Sequence, residues 1–256
     1  MKYMKIGVLG AGHMGSAIIK GLVNKYDPHD IFVKGHHVTS ELKDLSKTLG
    51  FTIVDDDFPS DLNVLFVTTP APITVSVLKN TKLPDQTVIV SAAQGVTEAE
   101  INAVHKNNSV VCIVPNIPVA VNAGCIAVGE SDHANEDDVK TALKVVENLG
   151  TLIKTSNQNL GIVGTVAGCG PAFVDVFMDA LADAAVQNGL NRETAFKVAA
   201  SMVQGSGKLA LDTGISPATL KDQVTSPGGS TIKGVVALDA TGFRNAVNKA
   251  VNDANQ

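Results

Sequence analysis

Short, mostly apolar runs punctuate the first half of the chain: Lys5–Leu9, Asp30–Lys34, Phe51–Val54, Asn63–Val67, Thr87–Val90, Val110–Val114 and Cys125–Val128. They are rich in valine and isoleucine and largely continuous rather than alternating, as in strands covered on both faces of a parallel sheet. Helix-like stretches lie between several of them: Gly15–Asn24, Ser40–Leu49, Glu98–His105 and Glu136–Leu149. Thr151–Thr155 reads as a final strand. Strand–helix alternation of this kind predicts an α/β domain with a mostly parallel, doubly wound sheet.

After about residue 160 the pattern becomes helical. Pro171–Asn188 reads as a long apolar helix on which Asp175, Asp179 and Asp183 recur every four residues as one polar stripe. Phe173, Phe177, Leu181 and Ala184 fall on its apolar faces. Asn191 is an expected N-cap for a second helix running to about Leu211, and Ser216 before Pro217 opens another. So much apolar helical surface in a short segment predicts completion of the core across a subunit interface, hence a homodimer or a higher oligomer.

Gly10-Ala11-Gly12-His13-Met14-Gly15 lies between the first expected strand and the first expected helix. In that context the first glycine permits a tight turn, the second lets backbone approach a pyrophosphate, and the third lets helix pack on strand. The helix start offers free amides and a positive dipole end to phosphates. The reading is therefore a Rossmann-type dinucleotide-binding domain over residues 1–158 and an all-α substrate-binding and dimerisation domain over residues 159–256.

Composition narrows the function. The 45% of hydrophobic residues can bury a substantial core, and the net charge of −5 argues against nucleic acid as a partner. The only arginines are Arg192 and Arg244, so an anion held by the first half must use lysine, histidine, amides or helix ends. Cys112, Cys125 and Cys169 are odd in number and lack CxxC spacing, so no disulfide framework or structural zinc is expected and the compartment reads as cytoplasmic. Lys2 and Lys5 before a short apolar run imitate a signal peptide only faintly. No uninterrupted apolar stretch of membrane-spanning length is evident, and no membrane partner or metal is expected.

Coenzyme choice follows from the end of the second strand. Sites for the unphosphorylated dinucleotide place Asp or Glu there to hold the ribose hydroxyls. Here the stretch is Lys34-Gly35-His36-His37, with no acid to repel a 2′-phosphate. NADPH is the expected cofactor, with NADH as the alternative. Thr68-Thr69-Pro70 and the Ala92-Ala93 pair follow later strands at their carboxyl ends, where open α/β sheets bind ligands.

A second glycine loop runs from Asp222 to Ile232 and contains Ser226-Pro227-Gly228-Gly229-Ser230-Thr231. Its glycines and following helix start could form a carboxylate site without arginine. A helix-capping turn with Ser230 or Thr231 as N-cap accounts for the same residues equally well.

At this point the chain resembles pyrroline-5-carboxylate reductases. The resemblance rests on Gly168-Cys169-Gly170-Pro171-Ala172-Phe173, on Ala180-Leu181-Ala182-Asp183-Ala184, on Asp222 through Ile232 and on Gly242-Phe243-Arg244. It implies a Rossmann domain followed by a helical domain that intertwines with a partner subunit. It also implies reduction of the cyclic imine 1-pyrroline-5-carboxylate to L-proline, the last step of proline biosynthesis. Thr231 would hydrogen-bond the substrate nitrogen as the catalytic residue, and Ser230 would help to hold the carboxylate. Ser226, Gly228 and Gly229 complete the expected substrate loop, and Asn116 and Gln223 join the candidate coenzyme contacts.

Departures from the family pattern are specific. Cys112 stands where the family has arginine, and Ile117 lies within the altered stretch that follows. Thr69-Pro70-Ala71 replaces Lys-Pro-Gln, and acids before Gly168 are replaced around Asn157 and Gly161. These losses are expected to fall mainly on the coenzyme side. They leave room for other readings: a paralogue reducing another imine, a β-hydroxyacid dehydrogenase using Lys197, Lys208, Lys221 or Lys233 as base, or a silent dinucleotide-binding regulator. Cys169 and the acidic runs Asp55–Asp57 and Asp137–Asp138 read as packing and solvated positions.

Overall fold

The computed structural model describes residues 4–255; Lys2, named above, lies outside them. Two compact units divide the chain, Met1–Gly168 and Cys169–Gln256. The first holds one eight-stranded sheet: β1 (Ile6–Leu9), β2 (Ile31–Lys34), β3 (Thr52–Ile53), β4 (Val64–Val67), β5 (Val88–Ser91), β6 (Val110–Val114), β7 (Gly124–Val128) and β8 (Gly150–Lys154). Their spatial order is β3-β2-β1-β4-β5-β6-β7-β8. Every neighbouring pair is parallel except β6–β7. The strand order reverses direction beside β1, which puts a topological switch point between β1 and β4.

Strands β1 and β4 are buried at every position, as expected from their continuous apolar runs. Ile6, Val64 and Phe66 share one core cluster with Ile18, Ile19 and Leu22 of α1 (His13–Val23). Leu65, Ile89 and Val110 form a second cluster on the opposite side with Leu78 and Ile101. Those two residues belong to α3 (Ala71–Lys79) and α4 (Glu98–Asn102). Helices α2 (Ser40–Leu49) and α5 (Glu136–Val146) complete the layers. Thr39 caps the first turn of α2 and Gly50 ends it in a left-handed conformation, which is why its expected bounds match. The expected Glu98–His105 helix stops at Asn102, and the Glu136–Leu149 stretch breaks into α5 and a 3₁₀ turn.

Helix α6 spans Leu160–Gln187, so Pro171 lies inside it and not at its start as the sequence pattern predicts. An internal proline withdraws the N–H that the carbonyl four residues earlier needs, here that of Ala167. Asn116 replaces that donor: its Nδ2 lies 2.9 Å from the Ala167 oxygen. The helix passes the proline because a side chain from a distant strand end satisfies it. By length and composition α6 is also apolar enough to cross a membrane, since glycine, alanine and threonine interrupt its apolar residues more often than charges do.

The second unit continues with α7 (Arg192–Thr213), α8 (Pro217–Gln223), α9 (Ser230–Ala240) and α10 (Phe243–Ala254). The caps read from the sequence, Asn191 for α7 and Ser216 for α8, each accept a backbone N–H. Within this unit Asp183 pairs with Arg192 at 2.6 Å, and the Phe177 and Phe243 rings lie 5.7 Å apart. Its buried described hydrophobic residues are all alanines: Ala182, Ala195 and Ala199. Val176, Phe196, Val198, Leu211 and Val236 stay exposed. Fully burying one large aliphatic side chain is worth roughly 1.5–3 kcal/mol, so this unit lacks the apolar burial that sustains the first.

Candidate functional site

A cleft of about 900 Å³ opens at the carboxyl ends of β1, β2, β4 and β5. It gathers Gly10, Ala11, Gly12, His13 and Met14 from the glycine turn and Gly35, His36 and His37 from the end of β2. Thr68, Thr69 and Pro70 after β4, and Ala92 and Ala93 after β5, complete the expected set on its wall. No aspartate or glutamate lines it among the described residues, whereas Lys34 and three histidines do.

The three glycines have different causes. Gly10 sits at φ +104, where a side chain would strain the backbone. A Cβ on Gly15 would stand 2.1 Å from the Gly10 carbonyl oxygen and 2.8 Å from Thr68 Oγ1, so Gly15 packs behind the cleft and does not line it. A Cβ on Gly12 would meet no protein atom within 4 Å. Gly12 is also the N-cap of α1, with no side chain covering the helix start. The first-turn amides are therefore open to an anion.

Thr68 and Thr69 are on the wall, but their hydroxyls are engaged. Thr68 Oγ1 donates to the Gly10 carbonyl at 2.7 Å, fixing the turn to β4. Thr69 Oγ1 lies 2.9 Å from the hydroxyl of the fully buried Thr74, which in turn donates to the Pro70 carbonyl at 3.0 Å. The Lys34 ammonium donates to the Asp56 carbonyl, and the His36 and His37 rings meet edge to face at 4.0 Å.

Sequence reasoning missed one wall altogether. Ile73, Ser76 and Val77 reach the cleft from α3, and Asn80 and Thr81 from just past its end; the helix was not expected because prolines flank its start. Proline is tolerated in a first helical turn, where amides lack partners anyway, and that was the available signal.

Asn116 does not line the cleft. Its Nδ2 serves Ala167 and its Oδ1 accepts the Cys125 N–H at 3.0 Å, in a position only 5% exposed. Gln223 ends α8 in the second unit.

The polar glycine loop belongs to the second unit and is exposed along most of its length. Gly228 holds φ +72, and a Cβ on Gly229 would stand 2.5 Å from Ser226 Oγ. The Gly229 N–H donates to the Ser226 carbonyl at 3.0 Å, closing the turn. Gly229 is the N-cap of α9 and has no side-chain cap, so the expected capping role for Ser230 or Thr231 is corrected. Both stand in the first turn of α9 with hydroxyls that no protein group engages among the described residues.

Three of the four lysines considered as alternative bases are held in ion pairs, and Lys233 stands exposed on α9. Lys197 pairs with Glu193 at 2.7 Å and Lys208 with Asp212 at 2.5 Å, while Lys221 pairs with Asp222. Among the described residues no group of three or more metal-ligating side chains converges.

Residues 157–256 match the family described as pyrroline-5-carboxylate reductase dimerisation. Residues 5–95 match the family described as NADP oxidoreductase, coenzyme F420-dependent. The pyrroline-5-carboxylate reductase of Methanosarcina acetivorans is 33% identical over all of this chain and 97% of that protein. This chain belongs to the pyrroline-5-carboxylate reductase family. The Escherichia coli enzyme is also 33% identical, across 96% of this chain and 94% of its own. The structure of Plasmodium falciparum pyrroline carboxylate reductase with NADP bound superposes with a TM-score of 0.84 at 26% identity, covering 100% and 97% of the two chains. The acid-free cleft thus belongs to a nicotinamide-dinucleotide oxidoreductase domain. The helical unit and the whole of apolar α6 fall within the region that matches the family's dimerisation domain.

Proposed function

We propose that this protein reduces 1-pyrroline-5-carboxylate to L-proline with NADPH. Residues 1–158 bind the coenzyme, and residues 159–256 bind substrate and form a homodimer. The observation that carries the substrate assignment is the first turn of α9. Ser230 and Thr231 present unengaged hydroxyls above helix amides that no side chain caps. Open amides and the helix dipole suit a carboxylate, and the glycines at 228 and 229 let the backbone approach it closely.

The nicotinamide, when bound, supplies the hydride that reduces the imine carbon. The chain's part is orientation and proton management. Gly12 and the α1 amides receive the pyrophosphate, and His36 and His37 with Gly35 receive the adenosine 2′-phosphate. Ser226, Gly228, Gly229 and Ser230 hold the substrate carboxylate. The Thr231 hydroxyl stands at the imine nitrogen, where it orients the C=N bond and passes on the proton that nitrogen gains. Fixing two reactants in a reactive geometry can supply about 7–11 kcal/mol of rate enhancement, so the reaction needs little other chemistry from the protein.

Self-association is supported by the exposed apolar helices of the second unit and by its alanine-only core. A cytoplasmic setting fits the three free cysteines. The test is proline formation from 1-pyrroline-5-carboxylate with NADPH and, in parallel, NADH. Proline appearing in step with NADPH oxidation is the expected result. No turnover with either coenzyme would overturn the assignment.

A further inference from the structure

The departures from the family pattern do not all fall on the coenzyme side. Thr69 and Ala71 line the coenzyme cleft, whereas Cys112, Asn157 and Gly161 come together on the wall of a second cavity of about 380 Å³. A Cβ at Gly161 would meet nothing within 4 Å. The volume lies within the range of small-molecule sites, about 300–1,000 Å³.

The walls define what the space could hold. Val96, Val114 and Leu160 are among its apolar lining residues, and the half-buried Glu98 and the exposed Glu130 are its acidic ones. Among the described residues no lysine, arginine or histidine lines it. Glu98 is fixed in place, because its two oxygens accept the N–H groups of Asp132 and His133 at 2.8 and 3.0 Å. Burial, and after it the Glu98 charge, pushes the Cys112 thiol on the same wall up to about 11. An anion or a zwitterion would find no counter-charge here. A cation with a short apolar chain would find both complements.

We infer that this second cavity is a binding site for a small organic ammonium ion, with the ammonium on the Glu98 and Glu130 wall and the alkyl chain against Val96, Val114 and Leu160. The site is separate from the proposed reaction, but it shares Ala93 and Gln94 with the coenzyme cleft. An occupant therefore packs on the β5–α4 loop that also lines the cleft.

The experiment uses the full-length protein without coenzyme, so its outcome is independent of reductase activity. Thermal unfolding and calorimetric titration are run with n-butylammonium, and with butyrate and n-butanol as charge controls. Saturable stabilisation by n-butylammonium alone is expected, with affinity about tenfold weaker in Glu130→Gln, a loss of roughly 1.4 kcal/mol. Cys112→Arg places a guanidinium in the cavity and should abolish the response. Gly161→Leu fills the cavity without adding charge and should do the same, which guards against misfolding of the arginine variant. A response shared by butyrate or butanol, no saturable response, or an unchanged response in a folded Cys112→Arg or Gly161→Leu variant would overturn the inference.

Discussion

The Asn116 side-chain amide donates to the Ala167 carbonyl at 2.9 Å, replacing the helical donor that Pro171 lacks. Both partners are buried, so removing the amide strands a polar group away from water, a loss of about 1–3 kcal/mol. Asn116→Ala also removes the acceptor of the Cys125 N–H and is expected to lower stability in urea unfolding by at least that amount. Pro171→Ala restores an N–H at the position that serves Ala167, so the cost of Asn116→Ala should shrink in that background. An equal cost in both backgrounds would show that the bond is incidental.

Gly15 and Gly12 should behave oppositely despite sharing one turn. A methyl at Gly15 collides with backbone at 2.1 Å, so Gly15→Ala should cost about 1–3 kcal/mol or more of stability. At Gly12 a methyl meets no protein atom within 4 Å, so Gly12→Ala should leave the melting temperature unchanged and raise the KM for NADPH. Equal melting losses in the two variants would refute this division of roles.

The proposed preference for NADPH relies on His36 and His37, in a cleft that no aspartate or glutamate lines among the described residues. Introducing Asp at either position sets a negative charge against the 2′-phosphate. The KM for NADPH should rise about tenfold or more, equivalent to roughly 1.4 kcal/mol, while the KM for NADH changes little. Parallel changes for the two coenzymes would place the phosphate elsewhere.

Burial, reinforced by Glu98, raises the Cys112 thiol to about 11 from 9.0. The thiolate is the reactive form, and its fraction at neutral pH falls by about a hundredfold for a shift of that size. Alkylation followed by mass spectrometry should find Cys112 resistant in native protein at neutral pH, with reactivity appearing as pH climbs toward that value. Rapid modification at neutral pH would contradict the assignment.

Much of this architecture is legible in the sequence, and the gaps have physical causes. Helix α2 can be read to its ends because Thr39 and Gly50 are local signals. The start of α6 cannot, because its continuity through Pro171 depends on Asn116, which is remote in sequence. Helix α3 hides behind two prolines that its first turn tolerates. The glycine turn is readable because strand, turn and helix follow one another. That Thr68 pins this turn through Gly10 is not, since the contact joins β4 to β1. The loop before α9 fits two roles by sequence alone, because only the backbone shows that Gly229 is the N-cap and that Ser230 and Thr231 are left uncommitted.

The most direct measurement is steady-state NADPH oxidation at saturating 1-pyrroline-5-carboxylate by the native protein and by Thr231→Ala side by side. The native protein should turn over and form proline. The variant should lose about a hundredfold in kcat, within the usual span for a group that assists proton transfer, with NADPH affinity and melting temperature unchanged. Absence of turnover by the native protein with either coenzyme, or equal kcat in the two proteins, would contradict the account.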